Sequence, residues 1–101
     1  MLTNEKVISV FESYLAQDED YDLVMTKRGY ALICWEDAEG ASGNAVCCPT
    51  PELLRDGLLS AYREYQEWNL IRQSGNTERN PTDEEEKLLD KMCEKLREEL
   101  S

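Results

Sequence analysis

Two adjacent cysteines, Cys47 and Cys48, are the residues of this 101-residue chain with the clearest capacity for chemistry. A zinc site needs paired ligands about two residues apart, usually with histidine, and a catalytic thiol needs a neighbouring base. The chain has four cysteines and no histidine. Adjacent side chains of a strand point to opposite faces, so this pair cannot share one ion without distortion. We therefore expect no metal, no cofactor and no catalytic residue, and we interpret the cysteines as small buried hydrophobic residues of a non-enzymatic protein.

A disulfide between Cys34 and Cys47 would require their strands to pair in register and the protein to reach an oxidising compartment. The N-terminal sequence MLTNEKVISVF lacks a basic region followed by an apolar run. No apolar stretch approaches the roughly 20 residues that span a bilayer. The sequence therefore predicts a cytoplasmic protein with reduced thiols and no membrane contact.

The segment DEDYD places acids at Asp18, Asp20 and Asp22, as the start of a calcium-binding loop does. An EF-hand loop also requires glycine at its sixth position and glutamate at its twelfth. This chain has Leu23 and Gly29 at those positions. We therefore predict no EF-hand calcium site.

Acidic side chains are the main departure from ordinary composition. The chain has 22 Asp and Glu against 11 Lys and Arg, a formal net charge of −11. Such a field disfavours direct binding to nucleic acid or anionic lipid and attracts basic protein surfaces. Two acidic clusters flank the predicted first two strands. The candidate partner-binding residues are Asp18, Glu19, Asp20, Asp22, Glu36, Asp37 and Glu39.

The elements that must position these residues begin with a helix. Thr3 or Asn4 can cap it, and we expect it to end near Gln17. Its apolar stripe is Val7, Ile8, Phe11, Tyr14 and Leu15. The segments YDLVMTK and YALICWED predict two strands, joined at Arg28-Gly29 where glycine supplies a positive φ, and NAVCC predicts a third.

Two helices follow the predicted strands. Thr50-Pro51-Glu52 is typical of a helix start, and Thr82 with Glu85 fits a capping box. Gly57 lies beside the apolar stripe of the first of these helices and predicts a close approach between helix and sheet. The order α-β-β-β-α-α predicts one domain, residues 1–101, of the α+β class, with a three-stranded antiparallel sheet.

Two packing predictions follow from the apolar pattern. The second strand is apolar on both faces, which predicts a sheet covered on both sides and both Cys47 and Cys48 inaccessible to thiol reagents. An aromatic side chain recurs every three residues at Tyr62, Tyr65 and Trp68. The two interpretations of this series are an aromatic ridge that binds a partner and packing in the core. We favour core packing, with Tyr62 closest to the surface.

In an antiparallel meander, the end of the second strand lies beside the start of the first. The two acidic clusters should therefore meet at one edge of the domain. A concentrated negative patch can imitate nucleic-acid phosphates or dock on a basic cleft. The alternative interpretation is a solvated face that only keeps the protein soluble.

The element order and the acidity together resemble one group of small phage-encoded anti-CRISPR inhibitors. The resemblance covers most of the chain, through the segments NEKVISVFESYL, YDLVM, YALICWED, NAVCC and PELLRDGLLSAYREYQEW. It implies an inhibitor that presents carboxylates to the basic channel of a CRISPR nuclease and blocks DNA entry. The resemblance lies in order and charge, and it transfers no individual contact residue to this sequence.

Two hypotheses of function follow. The first is a non-catalytic acidic interaction protein that occupies the basic, nucleic-acid-binding surface of an enzyme. The second is a cytosolic accessory protein or oligomer subunit whose acidity serves solubility alone. In the second case a homodimer through the last helix is a candidate assembly. The apolar stripe of that helix is Leu88, Leu89, Met92, Leu96 and Leu100.

Overall fold

The computed structural model describes residues 1–36, 43–75 and 80–100. The elements are α1 (Asn4–Gln17), β1 (Tyr21–Thr26), β2 (Gly29–Trp35), β3 (Gly43–Cys48), α2 (Pro51–Gln73) and α3 (Asp83–Glu99). The α+β class and the predicted order of elements are confirmed. Within these described ranges, no helix is long and apolar enough to cross a membrane.

Threonine side chains begin each of the three described helices. The Thr3 hydroxyl accepts a hydrogen bond from the Lys6 backbone N–H, which makes Thr3 the cap of α1. The Thr50 hydroxyl accepts from the N–H of Leu53 at the start of α2. At α3, Thr82 and Glu85 form the predicted reciprocal capping box. Each cap satisfies an N–H group that has no partner within its own helix.

The sheet is an antiparallel meander in the order β1-β2-β3. Tyr21 pairs with Cys34 in the first ladder, and Tyr30 pairs with Cys48 in the second. At the β1–β2 turn, the Thr26 hydroxyl donates to the carbonyl of Gly29 at 2.7 Å. The φ angle of Gly29 is +120°, a conformation that glycine adopts without steric cost, as the sequence predicts.

One hydrophobic core joins the helices to one side of the sheet. Helix α2 packs on β2 and β3, while α1 and α3 pack against α2. The buried residues of this core are Val7, Phe11, Tyr14, Leu32, Cys48, Leu54, Leu58, Leu59, Ala61 and Leu100.

The prediction of a sheet covered on both faces is wrong. The side chains of Leu32 and Cys48 point toward the helices, and Cys48 is only 1% exposed. On the opposite face Cys47 is exposed and Val24 is 39% exposed. The reason is that the described helices all pack, through α2, on the Leu32 side, and an antiparallel sheet needs only one covered face. We call the other side the open face, formed by Asp22, Val24, Ala31, Ile33, Trp35, Ala45 and Cys47. Most of these side chains are exposed or partly exposed, whereas the small Ala31, between Val24 and Cys47, is buried.

The exposure of the aromatic residues of α2 differs from the prediction that Tyr62 lies closest to the surface. Tyr62 packs edge-on against Phe11 and Tyr14, with ring centroids 6.2 and 5.5 Å away. Tyr65 makes a similar contact with Tyr14 at 5.5 Å. Trp68, and not Tyr62, is the exposed member of the series, at 48%. The first two aromatics face α1, whereas Trp68 lies one turn further along α2.

Candidate functional site at the acidic corner and the open face

The described parts of the two predicted acidic clusters meet at one end of the sheet. The backbone N–H of Trp35 donates to the carbonyl of Asp20 at 2.7 Å, which extends the β1–β2 ladder by one residue. Glu36 follows directly, and its carboxylate accepts a hydrogen bond from the Asn44 side chain at 2.7 Å. Asp20 and Glu36 are both exposed. Strand pairing therefore places Asp20 and Glu36, which are 16 positions apart in the sequence, at the same end of the sheet.

Two of the predicted partner-binding residues, Asp37 and Glu39, lie outside the described residues. The structure places the other five at or beside this end of the sheet. Among these five, Asp18 is buried and the other four are exposed.

The carboxylate of Asp18 accepts hydrogen bonds from within the protein. Asp18 is only 6% exposed, and its carboxylate accepts hydrogen bonds from the Tyr14 hydroxyl at 2.7 Å and from the Asp20 backbone N–H at 3.0 Å. Burial, followed by the hydrogen bond to Asp18, raises the pKa of Tyr14 well above its ordinary value. Asp18 therefore fixes the turn between α1 and β1 and leaves Glu19 and Asp20 to face solvent.

A further carboxylate reaches this end of the sheet from α2, on the side that the helices cover. The Tyr21 hydroxyl donates to Glu64 at 3.2 Å, across 43 positions of sequence. Burial raises the pKa of Tyr21, and hydrogen bonding with the Cys34 thiol and the charge of Glu64 raise it further. Sequence reasoning did not identify Glu64 because it is a single acid within an aromatic stripe. We define the acidic corner as Glu19, Asp20, Asp22, Glu36 and Glu64.

The acidic corner and the open face share one residue, Asp22, which is hydrogen-bonded to a tryptophan of the open face. The indole Nε1–H of Trp35 donates to the Asp22 carboxylate at 2.6 Å. The Trp35 ring also lies close to Gly43, since a Cβ on Gly43 would be 3.0 Å from the ring atom Cε3. Both contacts hold the indole at the acidic end of the open face. An apolar surface with an acidic border is suited to a protein partner that presents apolar and basic groups.

The described cysteines are all free thiols. Cys34 pairs with Asn44 and Cys47 pairs with Ala31, so Cys34 and Cys47 are out of register and on opposite faces. Burial raises the pKa of the Cys48 and Cys93 thiols, which lowers their thiolate fractions. Within residues 1–36, 43–75 and 80–100, no group of three or more cysteine, aspartate and glutamate side chains is placed to hold a metal ion.

Comparison of the chain with protein-family models, curated proteins and solved structures finds no match in any of the three.

Proposed function

We propose that this chain is a non-catalytic acidic interaction protein that binds a partner protein through its open face and its acidic corner. The carrying observation is the hydrogen bond between the Trp35 indole and Asp22, a residue of the open face that also belongs to the acidic corner. Large aromatic side chains at the centre of an interface and charged groups at its border are common features of protein recognition.

The partner in this proposal presents a basic surface beside apolar residues. Glu19, Asp20 and Glu36 are exposed at one end of the sheet, where they would oppose lysine and arginine side chains. A surface that normally contacts nucleic-acid phosphates has this chemistry. The resemblance in element order and acidity to anti-CRISPR inhibitors supports a nucleic-acid-binding enzyme as the partner. The free thiols of this chain are consistent with a cytoplasmic location for it.

Affinity capture with matched variants tests this function. The tagged wild-type protein is compared with a Val24→Lys, Ala45→Lys variant, which changes two exposed residues of the open face. A Leu53→Lys variant is the matched control, because Leu53 is an exposed apolar residue of α2 and lies away from the open face. We expect the wild type and the control to retain the same protein and the open-face variant to lose it.

The electrostatic part is tested on the captured complex. A Glu19→Gln, Asp20→Asn variant is compared with Glu12→Gln, Glu52→Gln, which removes two exposed acids elsewhere. We expect only the first variant to weaken binding, and we expect duplex DNA and high salt to displace the partner. Binding that is insensitive to salt, to DNA and to the corner variant would contradict the proposed mechanism.

A further inference from the structure

The outer edge of β1 has unpaired backbone groups. The bond from Trp35 N–H to the Asp20 carbonyl shows that even-numbered residues of β1 turn their backbone groups toward β2. The N–H and C=O groups of Tyr21, Leu23 and Met25 therefore point away from the sheet. Among the described residues, no strand lies on that side and no backbone group pairs with them. Such an edge is a template for pairing with another strand.

Two of these residues, Tyr21 and Leu23, line a groove. A space of about 440 Å³ lies between α1 and the sheet, and most of its lining is apolar. Ile8 and Leu15 line it from α1, and Tyr21, Asp22, Leu23 and Tyr30 line it from the sheet. Met25, at the end of this edge, is 77% exposed. A strand added beside β1 would cover apolar surface as well as complete the backbone hydrogen bonds.

The charges along β1 identify the strand that would fit there. The exposed acids Glu19 and Asp20 precede β1, and the exposed bases Lys27 and Arg28 follow it. Two identical strands that pair antiparallel around a two-fold axis place the start of each beside the end of the other. The acids of one copy then face the bases of the other copy at both ends of the pair.

We infer that a second copy of this chain pairs with the first through β1, to give a continuous six-stranded sheet. With the two-fold axis at Leu23, Leu23 faces its own equivalent and Tyr21 faces Met25 of the other copy. This register pairs all the outward-facing groups of Tyr21, Leu23 and Met25. The apolar side chains of the second strand extend along the groove beside Ile8 and Leu15.

A second copy fits this edge better than an unrelated acidic or basic strand does, because the edge has acids at one end and bases at the other. The overall charge of −11 on each copy opposes association, and the ion pairs at the two ends offset part of that repulsion. The edge of β1 shares Glu19 and Asp20 with the acidic corner. Because self-association is measured on the purified chain with no partner protein present, its failure is distinguishable from failure of the proposed function.

Charge reversal with mixing tests the pairing. One variant has Lys27→Glu and Arg28→Glu, and the other has Glu19→Lys and Asp20→Lys. All four side chains are exposed, and circular dichroism checks that each variant is folded. In a dimer of either variant with itself, like charges meet at both ends of the β1 pair. In a mixed pair, opposite charges meet at both ends. The matched control is Lys91→Glu, Lys95→Glu, an equal charge change on exposed residues of α3.

Molar mass is measured by light scattering across a range of concentrations. We expect the wild type and the α3 control to reach twice the chain mass of 11.7 kDa at high concentration. We expect each β1 variant alone to self-associate at least about tenfold more weakly, and the mixture to recover the dimer. A monomeric wild type would overturn the inference. So would dimers unaffected by the β1 variants, dimers lost only in the α3 control, or a mixture of the two β1 variants that stays monomeric.

Discussion

The two faces of the β-sheet have similar apolar residues and different surroundings. Leu32 and Cys48 lie beneath α2 and are buried, while their neighbours Ile33 and Cys47 face the other way with partial or full exposure. Strand alternation determines which residues share a face. Whether a face is covered depends on where the helices pack, and in the described structure they pack on one side. An apolar strand pattern therefore indicates either a core or a surface available to a partner.

Because the helices leave its apolar side chains uncovered, the open face is a candidate interaction surface. Exposed apolar side chains in a contiguous group often mark an interaction surface. Here the group ends at Trp35, whose indole is bonded to an acidic side chain. The covered face explains stability, and the open face is the basis of the proposed function.

The largest expected effect compares neighbours on the two faces. Leu32→Ala removes a buried side chain from beneath α2 and should lower the free energy of unfolding by about 3 kcal/mol. Ile33→Ala removes a partly exposed side chain from the open face and should lower it by about 1 kcal/mol. Urea denaturation monitored by tryptophan fluorescence measures both values. Equal losses would contradict the one-sided core.

A second comparison concerns two adjacent acids of the predicted site. Asp18→Ala leaves the buried Tyr14 hydroxyl and the Asp20 N–H without their acceptor, so the free energy of unfolding should fall by about 2–3 kcal/mol. Glu19→Ala removes an exposed side chain and should change it by less than about 0.5 kcal/mol. The same denaturation experiment is used. A large loss at Glu19 with none at Asp18 would reverse the roles assigned to them.

The raised pKa of Tyr14 predicts a dependence on alkaline pH. Below about pH 10, where an unfolded tyrosine keeps its proton, Tyr14 adds no pH dependence. Above that pH the unfolded state loses the proton while the folded state holds it. The free energy of unfolding should then fall by up to about 1.4 kcal/mol per pH unit from this group. In denaturation of Tyr14→Phe across the same range, the free energy of unfolding should fall less steeply with pH. Equal slopes for the variant and the wild type would contradict the raised pKa assigned to Tyr14.

The smallest predicted effect is a gain. Gly57 faces the covered side of the sheet, but an added Cβ would lie 3.7 Å from the Cys48 sulfur and 3.8 Å from a Leu32 methyl carbon, which are ordinary contacts. The close approach predicted from the sequence does not require glycine there. Gly57→Ala should therefore raise the free energy of unfolding by about 0.5–1 kcal/mol through helix propensity.

Gly43→Ala is the contrasting substitution to Gly57→Ala. Its Cβ would lie 2.7 Å from the Cys34 carbonyl oxygen, closer than real Cβ atoms approach. We expect this variant to lose stability. A loss at Gly57 or a gain at Gly43 in the same denaturation assay would contradict the packing described at these two positions.

Much of the architecture is predictable from local signals. Threonine caps mark the helix starts at Thr3, Thr50 and Thr82, and Gly29 marks the hairpin. These features depend on residues within a few positions of one another, so the sequence contains the whole interaction. Strand order and the meeting of Asp20 with Glu36 follow from the same meander topology.

Other features depend on packing between distant segments. The sequence shows that Asp18 is acidic, but its burial depends on the Tyr14 hydroxyl one helical turn away. Glu64 joins the acidic corner only because α2 crosses the sheet beside Tyr21. The coverage of a sheet face is likewise a tertiary property. For that reason, the prediction that Cys47 is buried is wrong while the prediction for Cys48 is confirmed.

The most direct test of the one-sided sheet is thiol labelling of the adjacent pair Cys47 and Cys48 in the native protein. Cys34→Ser and Cys93→Ser remove the other two thiols, and mass spectrometry follows the reaction with a small maleimide. We predict rapid modification of Cys47, which is exposed on the open face, and protection of Cys48, which is buried beneath α2 until the protein unfolds. Protection of both thiols would show a covered second face, and rapid labelling of both would show that the helices do not cover the first.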